Sequence, residues 1–187
     1  FGGPVGLSLA MDHPERIKRI VMMNTWFWDL QRDPAVQKVA KAVHGSVGKF
    51  MYVNGNMAPK LVKPLFVDRT KYTEDLNNAI FGPFESKEDR SGPLGMTQQL
   101  LDAGPWFEEL WRQREVFVAK PTMLVWGCKD PTFGQKYLDR VWHELPLAEV
   151  HDFADAGHYV TEERPREVLR ALQTFAKTPV KPGGYMA

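Results

Sequence analysis

Apolar positions follow two periods along this chain. Ile17, Ile20, Val21, Met22 and Met23 make a compact apolar run, the pattern of a strand buried in a parallel sheet. Two further strands are predicted at Pro121–Gly127 and Glu149–Phe153. Helical spacing predicts a helix over 4–13, which Pro4 suits in its first turn and Pro14 ends. It predicts another at 134–143. A third, at 165–176, has Val168, Leu169, Leu172 and Phe175 on one stripe. The stretch 27–118 has a different texture. Helical patches at 34–44, 57–66, 72–80, 94–102 and 105–117 are broken by Pro and Gly, and aromatic residues are frequent. The last ten residues, 178–187, are rich in Pro and Gly and read as a frayed tail.

The resulting order is helix, strand, all-helical insertion, strand, helix, strand, helix. Strands alternating with helices imply an α/β architecture with a parallel sheet. The expected division is a core of 1–26 and 119–177, a helical lobe of 27–118 and a flexible tail of 178–187. In such sheets chemistry collects at the carboxyl ends of the strands.

Composition acts mainly by exclusion. Lys and Arg number 24 against 23 Asp and Glu, a net charge of +1. The two signs are mixed along the chain, so no basic face for nucleic acid is expected. Cys128 is the single cysteine. That excludes an internal disulfide and a cysteine-based zinc cluster, and it suits a reducing compartment, the cytoplasm. No apolar run reaches the length of a membrane-spanning helix. The opening Phe1-Gly2-Gly3, with no Met before it, reads as the interior of an element. The expected partner is therefore the missing N-terminal part of the same protein.

Two predicted strands run directly into polar, titratable loops. Gly127-Cys128-Lys129-Asp130 follows one, and Ala154-Asp155-Ala156-Gly157-His158 follows the other. Neighbouring parallel strands bring such loops together. A carboxylate beside a histidine is the orienter-and-base pair that activates a nucleophile or a water. Asp130 and His158 are the candidate catalytic residues. The bland alternatives are a turn or helix cap for Asp130 and a structural loop role for His158.

These two loops resemble the acid and histidine loops of α/β-hydrolases. Phe1-Gly2-Gly3-Pro4-Val5-Gly6 resembles the second half of their nucleophile elbow, Gly-x-nucleophile-x-Gly. The resemblance implies the C-terminal part of an α/β-hydrolase sheet with an inserted all-helical cap, 27–118. It places the nucleophile immediately before Phe1 and assigns the Phe1 backbone N–H to the oxyanion hole. Within that fold the chain is most similar to haloalkane dehalogenases, through Phe-Gly-Gly, His13-Pro14-Glu15-Arg16, Gly-Cys-Lys-Asp with Phe133-Gly134, and Asp-Ala-Gly-His-Tyr with Glu162 and Glu163. Asp29, after the earlier strand, is a rival acid through its resemblance to the placement of the acid in some dehalogenases.

The resemblance implies a cofactor-free, metal-free enzyme acting on a small apolar haloalkane. An Asp nucleophile displaces halide, and water activated by His158 hydrolyses the resulting ester. Trp26, Trp28, Phe84 and Phe133 are the candidate pocket residues. The sequence departs from the family at position 1, where Phe stands in place of a halide-binding Trp. An epoxide hydrolase, using cap tyrosines such as Tyr52 and Tyr72, or an esterase with a Ser nucleophile therefore stays open. So does a reading of another class, an inactive fragment or binding module. The isolated 187 residues are expected to give no covalent turnover and to associate through uncovered apolar surface. A monomer by light scattering contradicts that expectation.

Overall fold

A computed structural model describes residues 1–179; the expected tail lies, from residue 180 on, outside the described residues. Helix α1 (Gly2–Asp12) leads through a short 3-10 turn into strand β1 (Ile20–Met23). Seven helices follow before the next strand: α2 (Pro34–His44), α3 (Ser46–Asn54), α4 (Met57–Val62), α5 (Glu74–Phe81), α6 (Ser91–Asp102), α7 (Gly104–Arg112) and α8 (Glu115–Val118). Strand β2 (Thr122–Gly127), helix α9 (Gln135–Glu144), strand β3 (Glu149–Phe153), and helices α10 (Val160–Glu163) and α11 (Pro165–Lys177) complete the order.

The strands form one parallel sheet in the order β1-β2-β3. Met23 sits opposite Val125, and Gly127 opposite Phe153, so the carboxyl ends of all three converge. β2 is central and buried along its whole length. Its side chains alternate between faces, as strand geometry requires. Leu124 and Trp126 pack with Leu7 and Ala10 of α1 and Leu138 and Val141 of α9. Met123 and Val125 pack with Val168, Ala171 and Phe175 of α11. Helices thus cover both faces of the sheet.

The helices between β1 and β2 have two allegiances. Phe107, Leu110 and Phe117, on α7 and α8, join the core beside the sheet. Val43, Tyr52 and Leu94, on α2, α3 and α6, form a small core of their own. Among the described residues no helix is long and apolar enough to cross a membrane.

Three expectations are corrected. β1 is shorter than the apolar run and only half covered, with Val21 36% exposed, because β2 is its one partner strand among the described residues. Leu169 is 54% exposed, and the buried stripe of α11 is Val168, Ala171 and Phe175. Leu172 is only partly buried against that stripe. Helices α3 and α10 were not anticipated: Gly48 masks the first, and four residues are too few for a periodicity in the second.

The end of β2 approaches the 156–157 segment so closely that only glycine fits. A Cβ on Gly127 would lie 1.9 Å from the Gly157 carbonyl oxygen. Gly127→Ala is expected to cost about 2–3 kcal/mol and lower Tm by roughly 5–10 °C. A variant melting with the wild type contradicts this packing.

Candidate active site

The site forms where the three strand ends meet. After β1 the chain turns at Asn24, whose φ of 37° lies in the left-handed region, a conformation Asn tolerates better than most residues. The turn aims the amide of Asn24, a residue only 3% exposed, into the end of β2. Its Oδ1 accepts from the Gly127 N–H at 2.8 Å. Its Nδ2 donates to the Gly127 carbonyl at 2.9 Å, to Asp130 Oδ2 at 3.1 Å and to the Phe133 carbonyl at 3.2 Å. One side chain therefore fixes the whole loop that presents the acid. Trp126 adds a second anchor, its indole N–H donating to the Phe133 carbonyl at 2.7 Å.

The Asp130 side chain is fully buried. Its Oδ1 accepts from the Thr132 N–H at 2.8 Å, and its Oδ2 from Asn24 and from His158 Nδ1, the latter at 2.5 Å. A buried carboxylate is tolerable where donors replace its water shell. Donation from Nδ1 leaves Nε2 as the acceptor on the neutral ring. Among the described residues Nε2 has no hydrogen-bond partner, and the His158 side chain is 30% exposed. The pair can thus take a proton at Nε2 and hold the resulting imidazolium beside a fixed negative charge.

Aromatic rings surround this face. Phe133 lies 5.9 Å from the His158 ring and Tyr159 5.3 Å. Trp26 stacks on Phe133 at 4.7 Å and meets Phe1 and Phe107 edge-on at 5.5 and 5.6 Å. Trp26 is 2% exposed, and its indole N–H is buried with no partner among the described residues. An unpaired buried donor costs about 1–3 kcal/mol. Burial also pushes the Tyr159 hydroxyl up from its usual range.

The sequence-predicted residues divide. Asp130, His158, Trp26, Phe133 and Phe1 are brought together. Trp28 stands one layer further out, stacked on Tyr137 at 5.6 Å beneath the Arg140 guanidinium at 3.9 Å. Phe84 lies in the 3-10 turn after α5, where its carbonyl accepts from Arg90 Nε; no ring contact links it to His158 among the described residues. Asp29 accepts from the Gln31 N–H and leaves His158 to Asp130. Tyr52 packs in the separate small core with its hydroxyl against Thr97. Tyr72 lies nearer, its ring 5.4 Å from Phe66, but donates its hydroxyl to Asn77. The Cys128 thiol is raised by burial and then by Asp152, which makes it a poor nucleophile. Sequence reasoning missed Asn24. The one available signal was an Asn at a strand end, which is also an ordinary turn residue.

The family model described as alpha/beta hydrolase fold matches residues 1–165. A cis-3-alkyl-4-alkyloxetan-2-one decarboxylase of Shewanella oneidensis is 28% identical over 181 residues, covering 94% of this chain and 57% of that protein. Haloalkane dehalogenase 2 of Mycobacterium tuberculosis is 24% identical over 178 residues, covering 92% of this chain and 60% of that protein. The chain thus spans about three fifths of the length of these relatives. Among solved structures, a loop variant of the haloalkane dehalogenase DbeA from Bradyrhizobium elkanii superposes with a TM-score of 0.77 at 16% identity, over 94% of this chain and 64% of that one.

Asn24→Ala removes four hydrogen bonds at once and places alanine at a positive φ. The expected loss is about 3 kcal/mol, read as a lower urea midpoint at unchanged slope. A midpoint equal to wild type overturns the anchoring role.

Proposed function

Because the chain belongs to the α/β-hydrolase fold family, we propose that it supplies the base and acid of a haloalkane dehalogenase-type enzyme. Read onto Phe1-Gly2, the elbow motif puts the nucleophile at the preceding residue. An Asp there attacks the carbon bearing the halogen, the carbon–halogen bond breaks, and an alkyl ester forms. His158 Nε2 then takes a proton from water, whose oxygen attacks the ester carbonyl. The tetrahedral oxyanion collapses, the departing alkoxide takes the proton back from His158 to leave as the alcohol, and the nucleophilic carboxylic acid loses its proton to solvent and is restored as carboxylate. The Phe1 backbone N–H stabilises the oxyanion. No cofactor or metal enters this scheme.

The observation that carries the reading is the buried Asp130–His158 pair with an open Nε2, set among Phe133, Trp26 and Phe1. Apolar rings favour an apolar substrate. Phenylalanine at position 1 has no side-chain donor. The indole ring of Trp26 meets that same ring edge-on, and its unpartnered N–H is the donor assigned to the leaving group. In this scheme 27–118 supplies the cap over a core of 1–26 and 119–177, while its Phe27, Trp28, Phe107, Leu110 and Phe117 pack with that core. The open edge of β1 and the exposed Val5, Leu9 and Val21 suit the N-terminal part of the same protein as partner. The single thiol suits the cytoplasm.

A second reading follows from the decarboxylase similarity, at 28% identity over 94% of the chain, and from Phe1. A dialkyl oxetan-2-one is also apolar. The same displacement would break its ring carbon–oxygen bond, with a carboxylate in place of halide as leaving group. Loss of carbon dioxide from that carboxylate, with expulsion of the enzyme carboxylate, would give an alkene without an activated water. The epoxide reading is weaker, because Tyr52 lies in the separate core.

The test uses the full-length enzyme with a bromoalkane. Bromide release is expected, and His158→Gln is expected to stop after one equivalent with the ester visible by intact mass. Trp26→Phe is expected to slow bromide release by about 100-fold. Alkene and carbon dioxide from a cis-3,4-dialkyloxetan-2-one, with no bromide from the bromoalkane, replaces this reading with the second. Hydrolysis of a nitrophenyl ester alone points instead to an esterase.

A further inference from the structure

Glu163 is a buried charge that the chemistry above does not use. It closes α10, is 2% exposed, and turns both carboxylate oxygens onto backbone N–H groups of two separate segments. Oε1 accepts from Val67 at 3.0 Å and Asp68 at 2.7 Å, which lie in the helical insertion. Oε2 accepts from Gly157 at 2.6 Å, one residue before His158. Such donors make a buried carboxylate tolerable.

The same segments are joined in three more ways. The His158 N–H donates to the Leu65 carbonyl at 3.0 Å. Phe66 stacks on Tyr159 at 4.7 Å with the rings 7° from parallel. A Cβ on Gly157 would lie 2.2 Å from the Leu65 carbonyl oxygen, so glycine permits the approach. The main chain at His158 is therefore held by Leu65 directly and by 67–68 through Glu163, and not by β3 alone.

We infer that Glu163 is a positioning residue that couples the placement of His158 to the docking of segment 65–68. Lifting that segment takes the Val67 and Asp68 N–H groups away from Oε1 and the Leu65 acceptor away from His158. A state with the segment raised and His158 still in register leaves these groups unpaired, and is disfavoured. The inference rests on the proposed alkyl-ester chemistry, in which displacement of the leaving group does not need His158 and hydrolysis of the ester does. Glu163 thus acts on the second step alone.

The experiment is Glu163→Gln in the full-length enzyme, mixed rapidly with a bromoalkane. Glutamine offers one acceptor oxygen and sets its NH2 against an N–H on the other side, which opens half of the clamp. The bromide burst is expected to keep the wild-type rate, while ester hydrolysis slows about 10- to 100-fold and the ester accumulates by intact mass. A purely structural role lowers the folded fraction and scales both steps equally; that result, or hydrolysis at the wild-type rate, overturns the inference. If the wild type itself forms no ester, the proposed chemistry falls while the coupling is still decided by amide exchange. In the wild-type enzyme the Val67, Asp68, Gly157 and His158 amides are expected to exchange as one unit. Exchange of 67–68 independent of 157–158 overturns it. The exchange measurement needs no variant, so it decides the matter even if Glu163→Gln does not fold.

Discussion

A carboxylate held away from water governs this structure. The Asp130 side chain is fully buried, and desolvating an ionised carboxylate is costly unless donors replace its hydration. The Thr132 N–H comes from the acid's own loop, Asn24 from the end of β1, and His158 from the loop after β3. The three strand ends must therefore meet at one point, and the parallel order β1-β2-β3 brings them there. Gly127 follows as a geometric consequence, because the histidine loop reaches Asp130 only where β2 carries no side chain.

Around this polar knot the site is apolar. Phe133 carries contacts in both directions, its ring near His158 and against Trp26, and its carbonyl taken by Asn24 and Trp126. The rings near the base are thus positioned by the same hydrogen bonds that position the acid. Beyond them Trp28, Trp111 and Arg140 form an outer layer, with the guanidinium 3.9 Å from the Trp28 ring centre and 5.3 Å from that of Trp111. Stacking of this kind stabilises by about 0.5–1 kcal/mol at exposed sites.

Much of this was legible in the sequence, for physical reasons. A strand buried on both faces must be apolar throughout, so Thr122–Gly127 stood out, and strand-end chemistry then marked Asp130. The Asp-Ala-Gly-His spacing marked His158 in the same way. Long-range reciprocity left no local trace. Asn24 resembles any turn asparagine until its amide is seen to bond Gly127, Asp130 and Phe133 together. In the sequence Glu163 is marked only by its place, with Glu162, in the resemblance to haloalkane dehalogenases, and only the fold brings Val67, Asp68 and Gly157 to its two oxygens. Leu169 misled because hydrophobicity alone does not say which side of a helix edge faces the sheet.

The aromatic cluster also bears on the leaving group. In the proposed scheme a halide or carboxylate departs into an environment of rings, where an unscreened anion is strongly disfavoured. The Phe1 side chain offers a ring but no N–H. The indole of Trp26 lies against that ring with its donor unsatisfied, and keeping that donor unpaired has a standing cost in the unliganded fold. In the proposed scheme such a donor, separated from the base by the Phe133 ring, supplies hydrogen bonding when charge appears there. That is the condition under which a donor lowers a barrier rather than merely tightening binding. In the proposed scheme, a single N–H, one ring away from position 1, is thus the donor on which displacement of the anionic leaving group turns.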